Sequence, residues 1–338
     1  MQSPVRTAIV VAVAAALVAV FLRNVPLHDV ASAIVHARVS WLGVSLVTAM
    51  LSLVLRAMRW QYLLEPLGHA SFANAFRATC VGFAASSILP ARAGEVIRPY
   101  FLSRHETMTA TGAFATIILE RVLDLLTVLV LLASSVFFFD RGIGAARPTA
   151  LAAMKWTGAT ALGGSIAALA VMFVLAGDPG RIGRWMQRLE RAVPSTLAGL
   201  IGRVAEKFSL GLGVVRRPGR LLVALAWSFP LWLSIAAGIW SVAQAFGIAM
   251  PFTGSFVLVS LLVIGVAVPT PGAIGGFHAM FRFGATEFFG ANNSAAVAAA
   301  IVAHLMSQGP SLVLGLVFAA QAGLNLSGMR RLAEEANP

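Results

Sequence analysis

The stretch Ser86-Ser-Ile-Leu-Pro-Ala-Arg-Ala-Gly-Glu-Val-Ile-Arg-Pro-Tyr-Phe-Leu102 decides how this chain is read. It follows a long apolar run and packs two prolines, a glycine, two arginines and a glutamate into a few turns of backbone. Pro90 lacks an N–H and Gly94 bends freely, so the preceding helix is expected to end near Leu89. Beyond the break, Arg92, Glu95 and Arg98 recur every third position, which sets Glu95 and Arg98 on one helical face. Two arginines against one glutamate leave a surplus positive charge beside newly exposed backbone N–H groups. Such a place suits a phosphate or another anionic head group, which arginine grips with two hydrogen bonds at once. The plainer alternative is a cytoplasmic loop with surface charges.

The surroundings are apolar. Of the 338 residues, 59% are hydrophobic and only 11% charged, against about 25% charged in soluble domains. The apolar runs are continuous and long enough for helices that cross a bilayer, which needs roughly 20 residues. Alternating strands of a β-barrel do not fit them. The expected fold is therefore an all-α integral membrane protein, a single polytopic domain over 1–338, with about six transmembrane helices. The spans are Thr7–Leu22, Trp41–Leu55, Thr109–Phe139, Ala152–Ala176, Leu221–Phe246 and Ala295–Asn325. The first is expected to be a retained helix and not a cleaved signal, because no small-x-small site follows it. The net charge of +12 flanks apolar spans, so it points to anionic phospholipid at the membrane surface and not to nucleic acid. Cys80 stands alone, which excludes an internal disulfide and a cysteine-based metal site. No metal and no cofactor are expected.

Two segments interrupt the spans, near 72–102 and 254–283. Nine Lys and Arg residues between 177 and 220 place that stretch in the cytoplasm. Within it, Arg181, Arg184, Arg188 and Arg191 share a spacing that predicts an interfacial helix. Arg330 and Arg331 place the C-terminus in the cytoplasm, and both termini are expected there, in the bacterial inner membrane. Arg56 and Arg59 are assigned by the same reasoning to the cytoplasmic end of the second span. The topology closes only if each broken segment enters and leaves on one side, as a re-entrant hairpin. Residues 41–139 and 221–325 then form two repeats of opposite topology, a pattern that marks a transport site at the repeat interface. Two Pro/Gly kinks in ordinary helices are the alternative.

Further charges lie deep in an apolar run: Glu120, Arg121 and Asp124. Charges at that depth cost several kcal/mol unless paired or wet, so they are expected to be functional. Glu120 and Asp124 share a face, Arg121 and Asp124 can pair, and Arg92, Arg98, Arg56 or Arg59 can neutralise the acids. The acids either balance arginines, carry protons or form a structural salt bridge. In the second broken segment, Pro269, Pro271, Gly272, Gly275, Gly276 and His278 combine helix stops with close backbone approach. No P-loop, H-E-x-x-H or G-x-S-x-G motif occurs.

These stretches resemble a known family. LPARAGEVIRPYFL, ERVLDLL and VPTPGAIGGF, with Arg56-Ala-Met-Arg59-Trp60-Gln-Tyr-Leu-Leu64 before them, look like the hallmark segments of the lysylphosphatidylglycerol synthase transmembrane-domain family. The likeness runs from about Trp41 to Asn325. It implies a membrane region that moves lipid, without the soluble aminoacyl-transferase domain of the multidomain members. Standalone members are associated with glycolipid, polyprenyl-lipid and hopanoid pathways. By motif position the resemblance makes Arg92, Glu95, Arg98, Glu120, Arg121 and Asp124 the polar site, and Pro269, Pro271, Gly272, Gly275 and Gly276 a second hairpin. The expected function is a flippase or scramblase for a polar-headed, anionic lipid or lipid-linked precursor. The rivals are an intramembrane lipid-modifying enzyme and a non-transporting partner of such an enzyme. Membrane lipids, a lipid-modifying enzyme or further copies of the chain are the expected partners.

Overall fold

A computed structural model describes residues 26–89, 93–138, 148–177, 207–267 and 270–323. The expected first span, Pro90, Arg92, Pro269, the basic helix of 181–191 and the C-terminal tail lie outside the described residues. Within them the protein is helical and contains no strand. The helices are α1 (Leu27–Val35), α2 (Val39–Leu64), α3 (Phe72–Ile88), α4 (Gly94–Ser103), α5 (Ala110–Phe138), α6 (Pro148–Gly177), α7 (Pro218–Ala245), α8 (Gly254–Ala267), α9 (Gly276–Phe289) and α10 (Asn293–Gln321).

Among the described residues, four helical stretches are long and apolar enough to cross a membrane: Val39–Leu67, Trp156–Val174, Pro218–Ala245 and Asn293–Gln321. Helix α5 is 29 residues long, about 43 Å at 1.5 Å per residue, and differs from these in carrying three charges at its middle. Outward faces remain apolar, with Val47, Val130, Ile166, Phe173 and Val313 exposed, as a lipid-facing surface requires. The fold is an all-α membrane protein.

Both interrupted segments form pairs of short helices. In the first, Ser71 caps α3 by accepting the Asn74 N–H at 3.2 Å. Helix α3 stops at Ile88, one residue before the expected end, and α4 begins at Gly94. In the second, α8 and α9 are 14 residues each, about 21 Å, too short for a hydrocarbon core of about 30 Å. A 3-10 turn at Pro271–Ala273 joins them, with Gly272 at φ 60° and Gly275 at φ 97°. Those left-handed conformations are the reason for glycine there. A glycine–glycine contact closes each pair. A Cβ on Gly94 would strike the Gly82 carbonyl, and one on Gly276 would strike the Gly265 carbonyl. The two tips also meet, since a Cβ on Gly272 would lie 3.4 Å from the Ser87 carbonyl.

The packing is central. Helices α2 and α7 lie against each other, α3 packs on α4 and on α10, and α8 packs on α9 and on α5. Helix α4 also touches α5, α9 touches α10, α2 touches α3, α5 and α10, and α7 touches α8, α5 and α10. Lipid tails are as apolar as leucine, so helices in a bilayer associate through close packing of small residues. Gly315 of α10 meets the Cys80 carbonyl and Ala84 of α3, and Ala296, Ala298, Ala299 and Ala300 are buried at the start of α10.

One expectation is corrected. The second span does not end near Leu55, just before Arg56 and Arg59. Helix α2 runs on to Leu64, and Arg59 is fully buried together with Trp60, Leu63 and Leu64. The helix continues because carboxylates from a distant helix neutralise the arginines that local hydropathy reads as an exit. The short helix α1, packed against α10, was not expected. Helix α9 also extends beyond the expected Phe283, to Phe289.

Candidate functional site

Five of the expected residues converge between α2, α4 and α5. Helix α5 supplies Glu120 and Asp124, four residues apart and therefore on one face. Helix α2 supplies Arg56 and Arg59, which share a face three residues apart. Arg59 Nη1 donates to Asp124 Oδ1 at 2.6 Å and to Ser228 Oγ at 2.7 Å, while its Nη2 donates to Glu120 Oε1 at 3.2 Å. Arg56 Nη1 reaches Asp124 Oδ2 at 3.2 Å. From α4, Arg98 Nη1 donates to Glu120 Oε2 at 2.7 Å. Its guanidinium carbon lies 3.8 Å from the centre of the Trp60 ring, a cation–π contact. Arg121 stands at the edge, 3.8 Å from Asp124 with its side chain 40% exposed.

The rest of the shell orients this cluster. Trp232 Nε1 on α7 donates to Asp124 Oδ1 at 2.9 Å. Trp60 Nε1 donates to Thr116 Oγ1 at 2.9 Å, which fixes the ring under Arg98. Charges this buried are tolerated only when paired and hydrogen-bonded. The pairing is nonetheless uneven. Arg56, Arg59, Arg98 and Arg121 face Glu120 and Asp124, and Glu95 close by still leaves the arginines in excess. Buried N–H groups remain without a hydrogen-bond partner at Arg59 Nε, Arg98 Nε, Arg98 Nη2 and Arg121 Nε. An unmet buried donor costs about 1–3 kcal/mol, more on a charged group, so these atoms mark where an acceptor belongs.

Two cavities adjoin the cluster. The smaller and more polar one, of about 140 Å³, has Ser86, Ser87, Glu95, Arg98, Thr270 and Gln308 in its wall, together with apolar residues. It lies where the two hairpin tips meet and includes Gly272 and Ala273 in its wall. A larger one of about 380 Å³ runs between α2, α7, α8 and α10, mostly along Leu53, Ile235, Ile239, Leu262 and Val263. Phe83, Arg121, Val266 and Gln308 line both.

In the second hairpin, Gly275 N–H points to His278 Nδ1 at 3.5 Å. The His278 ring lies 4.7 Å from that of His304, and His304 Nε2 bonds the Gly272 carbonyl at 2.7 Å. His304 thus ties the tip of one hairpin to α10. Pro271 opens the 3-10 turn, and Gly276 serves the close contact with Gly265. Ser228, Trp232, His304 and Gln308 were not expected at the site, and Trp60 and Thr270 were named only as parts of hallmark segments. A signal existed for some: Ser228 and Trp232 are four apart on α7, and His304 is an ionisable group inside an apolar span.

Comparison with known proteins agrees with this architecture. A part of the chain is 29% identical over 101 residues to the UPF0104 membrane protein MJ1595 of Methanocaldococcus jannaschii, covering 29% of this chain and 30% of that protein. The match therefore spans about a third of the relative's length. The profile described as the lysylphosphatidylglycerol synthase TM region matches residues 7–315. With most of its length inside that profile, the chain belongs to the lysylphosphatidylglycerol synthase transmembrane-region family.

Proposed function

We propose that this protein is a flippase or scramblase for a polar-headed, anionic lipid. The observation that carries the reading is the excess of arginine, with unpartnered buried N–H groups, beside a small cavity with charged and hydroxyl groups in its wall that shares residues with a larger, more apolar one. The head group sits at Arg98 and Arg121, and the hydrocarbon follows the apolar cavity. Glu120 and Asp124 hold the arginines in place and keep their charge from demanding a permanent counter-ion.

The same reading makes the halves inverted repeats, with each hairpin re-entrant. Exchange α2 with α7, α3 with α8, α4 with α9 and α5 with α10, and packed pairs map onto packed pairs. The contacts α3–α4 and α8–α9 exchange, as do α4–α5 and α9–α10, α3–α10 and α8–α5, and α2–α10 and α7–α5. The pair α2–α7 maps onto itself. The two glycine contacts, Gly82 with Gly94 and Gly265 with Gly276, also correspond. Rocking of such halves about a fixed midplane site gives alternating access. The inner membrane, with the basic stretch of 177–220 and both termini in the cytoplasm, completes the proposal.

The test is lipid accessibility in proteoliposomes, with head groups of different charge. Wild type should move an anionic class, and Arg98→Ala and Glu120→Gln should lower the rate at least tenfold while the protein still reconstitutes. Movement of no class, or equal rates in all three proteins, would sink the reading. Chemical conversion of the lipid by purified protein would replace it with an intramembrane enzyme.

A further inference from the structure

We propose that the second hairpin carries a proton-operated latch: a protonated His304 fastens the hairpin tip to α10, and the neutral imidazole releases it. The latch rests on the lipid-transport reading only for what it controls. Helix α10 has His304 as its one ionisable side chain. That side chain is partly buried, and its Nε2 meets the Gly272 carbonyl at 2.7 Å. A carbonyl only accepts, so Nε2 holds the hydrogen. Gly272 belongs to the turn between α8 and α9, and the same residue meets the first hairpin at Ser87. The turn keeps its shape through bonds of its own. The Ala273 N–H donates to the Thr270 carbonyl at 3.0 Å, and the Thr270 hydroxyl donates to the Ile274 carbonyl at 2.9 Å. The turn therefore moves as a unit, and His304 ties that unit to a long helix.

Protonation decides how firmly. A neutral imidazole has two tautomers. One donates from Nε2 to the carbonyl. The other carries its hydrogen on Nδ1 and turns a lone pair towards Gly272, which repels it. The imidazolium donates from both nitrogens, so no change of tautomer breaks the bond, and its charge strengthens it. His278 lies beside it with ring centres 4.7 Å apart, and Phe277 packs on both rings. The Nδ1 of His278 faces the Gly275 N–H at 3.5 Å. A proton on that nitrogen sets donor against donor, so His304 is the ring that takes it. Two imidazolium rings this close repel, so the pair holds one added proton.

The charged groups around the pair come from several elements. Helix α8 has no titratable side chain, and α9 adds Arg282 and Glu287. Gln308, one turn along α10, lines the cleft that holds Glu95, Arg98 and Arg121, and Arg56 lines the neighbouring one. Cys80 and Arg77 of α3 meet α10 at Gly315 and Phe318, about three and four turns beyond His304. Arginine keeps its charge throughout, and imidazole is the side chain that ordinarily titrates between about pH 5 and 8. The other histidines, His28, His36, His69 and His105, lie at helix ends or in turns, so a variant at His304 separates the latch from them.

The position of the tip, measured apart from transport, decides this. Ile274, exposed beside the tip, takes a nitroxide as Ile274→Cys in a Cys80→Ser background, and the full chain is studied in nanodiscs by electron paramagnetic resonance. From about pH 8 to about pH 5 the label should pass from mobile to immobile. His304→Gln keeps a donor that does not titrate, so its label should stay immobile at both pH values. His304→Leu offers no donor, so its label should stay mobile at both; should that variant not fold, His304→Gln decides alone. Lipid movement should be about tenfold slower at the acid end, the worth of one charge-assisted hydrogen bond, and should lose its pH dependence in His304→Gln. A wild-type label indifferent to pH, or a transition that survives in His304→Gln, overturns the latch. The label transition without lipid movement at either pH would remove the transport reading and keep this one; lipid movement with a label indifferent to pH would do the reverse.

Discussion

Arg59 reaches Asp124, Glu120 and Ser228 from one fully buried guanidinium, so three elements depend on its planar fork. A lysine there offers one compact charge and cannot span the same acceptors. Arg59→Met leaves Glu120 with Arg98 and Asp124 with Arg56, but strips two hydrogen bonds from buried carboxylates. Loss of one partner from a buried ion pair typically costs about 3–5 kcal/mol. Thermal unfolding in detergent should show Arg59→Met strongly destabilised, and Arg59→Lys only partly rescued. Full stability of both would mean that the carboxylates are held by something other than Arg59. The motif residues around this one were legible as charges in an apolar run. The candidate arginines for the two acids were legible as well, but which arginine meets which carboxylate was not, because Arg59 and Asp124 are 65 positions apart and no local periodicity links them.

At the scale of the element, the hairpins rest on close backbone approach. Gly94→Ala and Gly276→Ala each drive a methyl into a carbonyl of the opposite arm, and overpacking of this kind costs about 1–3 kcal/mol or more. Gly163 in α6 has open space where its Cβ would be, so Gly163→Ala should instead gain about 0.5–1 kcal/mol. Unfolding temperatures of the three variants should fall on opposite sides of wild type; a loss in all three would make helix propensity irrelevant to the contrast. The base of the first hairpin is clamped by Glu106, in the turn between α4 and α5. Its Oε1 accepts from the Ser71 N–H at 2.9 Å, the Ser71 hydroxyl at 3.0 Å and Asn74 Nδ2 at 2.8 Å. Desolvation raises the pKa of this carboxyl, but those hydrogen bonds and the nearby His69 outweigh it and hold the group below the ordinary carboxylate range. A lowered folded-state pKa stabilises the fold above the unfolded value and loses that contribution as pH falls through the folded one. Stability should therefore drop on acidification below the ordinary carboxylate range, and Glu106→Ala should flatten that limb. An identical acid limb in wild type and variant would assign it to other groups.

For the whole molecule, the meeting of the two hairpin tips is the contact most sensitive to movement of the halves. A Cβ on Gly272 would lie 3.4 Å from the Ser87 carbonyl, so the two tips are in van der Waals contact. In a Cys80→Ser background, Ser87→Cys with Gly272→Cys should cross-link on oxidation and stop lipid movement, and reduction should restore it. Unchanged transport with the bridge formed would show that the tips stay together throughout the cycle. The sequence by itself determined the membrane class, the ends of most helices and the positions of both breaks. Those features follow from local quantities: hydropathy over a span, the missing N–H of proline and the free φ of glycine. The tertiary structure alone decided that Arg56 and Arg59 lie inside the bundle, that Arg98 shares Glu120 with Arg59, and that His304 holds the second hairpin. A charge in an apolar helix is an exit or a site according to whether a carboxylate from another helix meets it, and the cost of its burial is set by that partner and not by its neighbours in the chain.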